Sequence, residues 1–195
     1  CGVESMTFIP MNGLTYDPHP ELNKENPNVY MSMGLTAENV AKKFNISRKD
    51  QQEFAINSHR KAFEAEKNGK FKKEITSING CVKDGGIRPN TSQEILDGLK
   101  LAFDQNGTIT AGTSSPLTDG AAATLICEEE YAVKNNLDIL AKIKSIAVEG
   151  CAPEVMGLGP IGASTKALKR AGLSIKDIDI VELNEAFASQ SLACI

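Results

Sequence analysis

Beyond residue 120 the chain alternates short apolar runs with helix-patterned stretches, and this alternation constrains the fold more than any other feature of its 195 residues. Ala121 to Cys127 suits either element: alanine favours a helix, but the run is short, and Thr124, Leu125 and Ile126 suit a buried strand, which is the reading taken here. A helix is expected near Glu128–Asn135, and Ala141 to Val148 reads as a strand carrying Ile143, Ile146 and Val148. Pro160 and Gly172 bracket the next helix, with Ala163, Ala167, Leu168 and Ala171 as its apolar stripe. Ile178 to Leu183 reads as a buried strand, and the chain turns helical from Glu185. Strand–helix–strand–helix order at these lengths predicts an α/β fold built on a layered sheet.

The preceding segment is patterned differently and reads as an inserted, mostly helical unit over residues 5–117. Pro10, Pro18, Pro20 and Pro27, with Asn12-Gly13, break any early periodicity. Thr36 is placed to cap a short helix striped by Val40, Ala41 and Phe44. A longer helix starts after Ser47, with Asp50 as its capping-box partner, and shows Phe54, Ser58, Ala62 and Ala65 on one face. Asn68-Gly69 ends it. Phe71 to Ile78 reads as a strand, Asp84-Gly85-Gly86 as a turn, and Ser92 to Leu101 as a helix. Asn106-Gly107 then turns the chain, and Ala111 to Gly120 is too small and polar to be other than a loop. No repeat is visible. The sequence stops at Ile195 inside a helix without a terminator, so both ends read as cuts within a longer polypeptide.

Charge and cysteine usage remove several function classes. A net charge of −4 argues against nucleic-acid binding. No apolar run is long enough to span a membrane, and Cys1-Gly2-Val3-Glu4 has neither the basic start nor the apolar stretch of a signal peptide. Cys1, Cys81, Cys127, Cys151 and Cys194 are scattered, and only His19 and His59 could join them, so no metal site is expected. Free buried thiols in a reducing compartment are the expectation.

Three features could carry chemistry. Asn184-Glu185-Ala186-Phe187 follows a predicted buried strand, and ligands of open α/β sheets bind beyond the carboxyl ends of strands. The Asn184 amide could hold a water or an oxyanion. It could equally cap the following helix, and on position alone the cap outweighs catalysis. The run Thr110 to Gly120 offers small residues, hydroxyls and free N–H groups to a ligand that approaches the backbone, although a plain solvent loop has the same composition. Arg88, after a Gly-Gly turn, could meet a phosphate, as could a positive face made by residues 42, 43, 48, 49, 60 and 61; solvated surface charge is the commoner role of both. Gly157-Leu158-Gly159 with Gly162 lacks the strand–turn–helix spacing of a dinucleotide loop.

Together these segments resemble the thiolase family across nearly the whole chain. The resemblance is carried by Gly2-Val3-Glu4-Ser5-Met6, Met33 through Ala41, Ile46 through Gln51 and Ser58-His59. It continues through Ala102-Phe103-Asp104, Thr110–Gly120, Met156 through Pro160 and Glu182 through Ala188. It implies two similar α/β halves, with a loop domain inserted in the first that covers coenzyme A. Residues 1–4 would end the first half's opening segment, 5–117 would be the insert, 118–138 the close of that half, and 139–195 the start of the second. Met33, Arg88, Ala102, Phe103 and Ala111 would line the coenzyme A tunnel, with Gly112, Ser115, Leu117, Ala186 and Phe187. Asn184 would hold the water that, with a histidine, stabilises the thioester enolate or oxyanion, which reverses the odds given above.

The same resemblance implies what this sequence does not contain. The family's nucleophilic cysteine lies upstream of the opening Gly2-Val3-Glu4, and its Gly-His-Pro histidine and Cys-x-Gly cysteine lie downstream of Ile195. Cys1 stands where the family has glycine, and His19-Pro20 has the wrong context, so both read as non-catalytic. The 195-residue chain alone is therefore expected to be inactive. The implied reaction is thiolysis of a 3-ketoacyl-CoA, with coenzyme A as substrate, no covalently bound cofactor, and a homodimer or homotetramer as the assembly. Biosynthetic thiolases commonly have histidine before the Met-Gly of the insert; Ser32 here favours the fatty-acid-degrading class over acetoacetyl-CoA synthesis. The location would be cytoplasmic in a bacterium, and mitochondrial or peroxisomal in a eukaryote. A non-catalytic acyl-CoA or lipid-binding relative and a pure assembly role are the competing readings.

Overall fold

The computed structural model describes residues 1–10 and 13–195; Asn12, expected to turn the chain with Gly13, lies outside the described residues. Strand β1 (Gly2–Glu4) pairs antiparallel with β2 (Gly120–Ala122), Gly2 opposite Ala122 and Glu4 opposite Gly120. The Thr7 N–H donates to Asp119 Oδ1 at 2.9 Å beside this pair. The polypeptide between the two strands thus leaves and returns at one edge.

Within that excursion lie α1 (Pro20–Glu25), α2 (Met33–Lys43), α3 (Arg48–Lys67) and α4 (Gln93–Asp97). Helix α2 starts earlier than the Thr36 cap predicts. Ser32 is the N-cap, accepting from the Leu35 N–H, while Thr36 is buried inside the helix and donates its hydroxyl to the Met33 carbonyl at 2.7 Å. That back-bond satisfies the buried hydroxyl, which removes the penalty of placing threonine inside the helix without a partner. The Ser47–Asp50 capping box opens α3 as expected, and Gly69, at φ +69°, turns the chain away after it. Asp50 is held below the ordinary carboxylate pKa, first by its hydrogen bond from the Ser47 side chain and then by that from the Ser47 backbone. The remaining helices are α5 (Glu129–Lys134), α6 (Gly159–Ala171), ended by Gly172 at φ +69° as predicted, and α7 (Ala188–Cys194).

The core sits where α2 meets α7 and the 3₁₀ turn at Pro153–Leu158, with Ala37, Val40, Ala41 and Ala188 buried. Ser189 Oγ donates to the Ala37 carbonyl, fixing α7 on α2. A second staple is polar. The buried Glu38 carboxylate accepts the Thr108 N–H at 2.9 Å and the Ile109 N–H at 2.9 Å, and a Cβ on Gly107 would strike it. Arg48 also turns inward and does not join the solvated positive face: its Nη2 donates to the carbonyls of Leu96, Asp97 and Leu99, closing the end of α4.

Four expected strands are corrected. Phe71–Ile78 begins as a 3₁₀ turn and makes only an isolated bridge, Ile78 to Cys81. Of Ala121–Cys127, only Ala121 and Ala122 pair. Ala141–Val148 and Ile178–Leu183 carry no ladder among the described residues. A strand is completed by hydrogen bonds from another segment, and among the described residues no segment pairs along 141–148 or 178–183. Their large side chains are accordingly open, Val148 at 86% and Ile180 at 78% exposure. The 141–148 run is instead tied along α6: Ser145 Oγ donates to the Ala167 carbonyl, Arg170 Nη1 to the Ile146 carbonyl and Lys166 Nζ to the Val148 carbonyl. The expectation of buried thiols fails for the same reason. Cys1, Cys81, Cys127 and Cys151 are exposed on such segments and loops, and only Cys194 is half-buried. The helix expected over Ser92–Leu101 stops at Asp97, where Gly98 caps it. No described helix is long and apolar enough to cross a membrane.

Candidate active site

A cleft of about 910 Å³ opens between α3, α4, the Ala111–Pro116 segment and the turn before α7. One wall is the α3 face presenting Phe54, Ala55, Ser58 and His59. The second comprises Ile95, Leu96 and Leu99, packed so closely on Gly112 that a Cβ there would collide with Leu96. The close approach at Gly112 is thus to the Leu96 and Leu99 side chains of the neighbouring wall, and not to a ligand as the sequence reading expected of this loop. The third wall is Leu183, Asn184, Glu185 and Ala188.

The Ala111–Ser115 wall is a built structure, not a plain solvent loop. Thr110 and Thr113 are buried: the Thr110 N–H donates to Thr113 Oγ1 at 3.1 Å, and Thr110 Oγ1 accepts the Gly112 N–H at 3.3 Å. Ser114 Oγ donates to the Thr110 carbonyl at 2.9 Å. These bonds satisfy the turn internally and leave Ala111 and Ser115 facing the cleft. The Glu38 carboxylate holds the strand-like lead-in at Thr108 and Ile109, so the loop hangs from α2.

Asn184 does not cap the following helix. Helix α7 begins at Ala188, its N-cap is Phe187, and no side chain closes that end. The intervening residues serve tertiary contacts instead. The Ser115 N–H donates to the Ala186 carbonyl at 2.9 Å, Ser114 and Phe187 form an antiparallel bridge, and the Phe187 ring stands edge-on to Phe103 at 5.8 Å. Phe103 in turn lies against Gly34, where a Cβ would overlap its ring. Asn184 is exposed at the cleft wall with its amide free of hydrogen bonds among the described residues.

Of the residues singled out from sequence, Arg88, Ala102, Phe103, Ala111, Gly112, Ser115 and Asn184 line this one cleft. Met33, Leu117, Ala186 and Phe187 do not line it: Met33 opens α2 next to Gly34, Leu117 is 69% exposed beyond Pro116, and Ala186 and Phe187 stand behind the wall. Ser58, His59, Thr91, Ile95 and Glu185 line it and were not among the expected lining residues. The spacing of Phe54, Ser58 and Ala62 marks that face of α3 as inward, which was the available signal for Ser58.

A polar rim crosses the cleft mouth. Ser58 Oγ donates to Glu185 Oε2 at 2.6 Å, and the Arg88 N–H donates to His59 Nδ1 at 3.3 Å. Burial, and next the Arg88 guanidinium, hold the His59 imidazole below its ordinary pKa, with Glu185 opposing them. Neutral histidine beside an arginine and a free asparagine amide forms a set of donors able to orient an anionic or carbonyl-bearing ligand.

The family model of the thiolase N-terminal domain matches residues 1–130, and that of the thiolase C-terminal domain matches residues 137–195. The chain is 51% identical over 202 residues to a protein of Idiomarina loihiensis named 3-ketoacyl-CoA thiolase, covering 98% of this chain and 52% of that protein. It is 46% identical over 211 residues to the protein of that name in Bacillus subtilis, covering 100% of this chain and 54% of the relative. Among solved structures, the dimeric peroxisomal thiolase of Saccharomyces cerevisiae superposes with a TM-score of 0.91 at 41% identity, over 99% of this chain and 52% of that one. The Bacillus anthracis acetyl-CoA acetyltransferase gives 0.79 at 38% identity, over 84% of this chain and 44% of that one. The chain spans about half the length of the curated relatives it matches. Its α/β fold, its motifs and both family matches agree: this chain is a member of the thiolase family.

Proposed function

We propose that the protein carrying this chain cleaves 3-ketoacyl-CoA by thiolysis, yielding acetyl-CoA and an acyl-CoA shortened by that acetyl unit. The observation that supports this reading is a single cleft lined by both Asn184 and the Ala111–Ser115 turn. In the proposed reaction a cysteine thiolate supplied from outside this sequence attacks the keto carbon. The bond between that carbon and its neighbour breaks with its electron pair passing to the thioester enolate, which takes a proton and leaves as acetyl-CoA; the thiol of a second coenzyme A then gives up its proton and takes the acyl group, restoring the cysteine thiolate. The Asn184 amide holds a water against the thioester oxygen, where charge develops as the carbon–carbon bond breaks. Arg88, Ala102, Phe103 and the 111–115 turn hold the coenzyme A moiety, with Met33, Leu117, Ala186 and Phe187 at its margins. Residues 5–117 act as the coenzyme A-covering insert, residues 118–138 close the first half, and residues 139–195 open the second. The assembly is a homo-oligomer, consistent with the dimeric yeast neighbour. In a bacterium it works in the cytoplasm, and in a eukaryote in mitochondria or peroxisomes.

Acetyl transfer to make acetoacetyl-CoA is the second reading, favoured by the likeness to the acetyl-CoA acetyltransferase. The test is to supply the polypeptide, expressed with its native flanking coding sequence, with long and short 3-ketoacyl-CoA plus coenzyme A. Acetyl-CoA release from long chains supports the degradative reading, turnover of acetoacetyl-CoA alone supports the second, and coenzyme A binding without turnover rejects both. The 195-residue chain alone is expected to give no turnover in the same assay.

A further inference from the structure

The backbone from Ile180 to Glu185 belongs to no helix or strand, yet it carries the one side chain that the proposed reaction requires to hold still. Asn184 has no hydrogen bond of its own among the described residues, so its position is set by its neighbours. Beyond it, the Ala186 carbonyl and the Phe187 ring are pinned to the 114–115 and 103 positions. The tie closest to Asn184 is different in kind. Glu185 reaches out of this segment and accepts the Ser58 hydroxyl at 2.6 Å, across 127 residues of sequence, onto α3. That length lies in the range of O–H···O⁻ bonds strengthened by a full charge. Helix α3 is an anchor of the right stiffness: it runs over Arg48–Lys67 with a closed capping box, and its Gln51, Gln52 and Ala55 are buried.

We infer that the Ser58–Glu185 hydrogen bond is a latch between the helical insert and the Asn184 turn, and that both partners are positioning residues for Asn184. The inference rests on reading Asn184 as the holder of the oxyanion water. Without the latch, the turn is fixed only from its Phe187 side and Asn184 swings at the cleft wall. Ligand contacts on the Ala111–Ser115 wall are then untouched, so the loss falls on turnover and spares coenzyme A binding. Glu185 acting directly on the ligand as an acid or base makes the opposite prediction, because Ser58 would then be dispensable.

The experiment uses the polypeptide with its native flanking coding sequence and the variants Ser58→Ala, Ser58→Thr, Glu185→Ala and Ser58→Ala/Glu185→Ala. Steady-state turnover of 3-ketoacyl-CoA is read beside hydrogen exchange of the peptide spanning residues 183–187. The expected result is a fall in kcat of about tenfold in each alanine variant, with KM for coenzyme A within about twofold, since a small misplacement of a catalytic group is costly to rate. The double variant falls no further than the worse single, as two ends of one interaction must. Ser58→Thr keeps the hydroxyl and the rate, and exchange quickens at 183–187 in Ser58→Ala while α3 is unchanged. Wild-type kcat in Ser58→Ala, multiplying losses in the double variant, unchanged exchange, or quickened exchange throughout the protein would each overturn the latch. A wild-type protein without turnover defeats the proposed function instead, and the exchange arm then decides the latch alone.

Discussion

Helices α2 and α3 with the 108–113 turn, and the extended runs 141–148 and 178–183, both carry aliphatic side chains and bury them differently. In the first, Val40 and Ile109 are fully buried; in the second, Ile143, Ile146, Val148 and Val181 are 66–86% exposed. The difference lies in where each element finds its hydrogen bonds. A helix satisfies its backbone from within and needs its neighbours only to cover a stripe. A strand stays incomplete until another segment lies beside it. Here α2 finds its cover in α7 and the 153–158 turn, whereas the 141–148 run is held only by isolated hydrogen bonds to α6.

This contrast breaks most sharply under a matched pair of substitutions. Val40→Asp in the 195-residue chain buries an unpaired charge and should cost about 4 kcal/mol or more, while Val148→Asp should change stability by no more than about 0.5 kcal/mol. Urea denaturation followed by helical circular dichroism reads both, and equal losses would abolish the distinction. The next effect is the polar staple of the first region. Glu38→Ala strands the N–H groups of Thr108 and Ile109 and should cost about 3 kcal/mol. Because the Ala111–Ser115 turn hangs from that staple, coenzyme A affinity measured by calorimetry should weaken along with stability. Smaller still is the α3 cap: Ser47→Ala should cost about 1 kcal/mol in the same denaturation assay.

The smallest effect is a pH dependence with two separate windows. His59 has a folded pKa below its ordinary 6.5, so the unfolded chain takes the proton more readily. Its contribution is complete above about pH 6.5 and is lost as pH falls through the lowered value. Asp50 behaves likewise one window lower, its contribution present above 3.8 and lost as pH falls further. His59→Gln should flatten the stability profile just below pH 6.5 and leave the acid limb intact; an unchanged profile in the upper window would remove His59 from the partly buried rim.

Local chemistry was enough to mark both ends of α3 and of α6. The Ser47–Asp50 box, the Asn68-Gly69 exit and the Pro160 and Gly172 boundaries all depend on residues within a few positions of one another. The motifs around Asn184 and the Thr110–Gly120 loop were equally readable, and with them the family. Ser58 was visible on one face of α3 with Phe54 and Ala62, but nothing local tells which distant segment that face meets. Glu185 was hidden behind its neighbour Asn184, because its partner lies 127 residues away.

The sequence by itself determined where α3 and α6 start and stop and which family the chain joins, since caps and motifs depend on short-range sterics and hydrogen bonding. Only the tertiary structure decided that Arg48 and Glu38 turn inward to bind backbone groups, that Asn184 is left free while Phe187 takes the cap position, and that the Ile-rich runs stay unpaired. Those outcomes depend on which surfaces meet across the fold, and a residue's type and near neighbours carry no information about that.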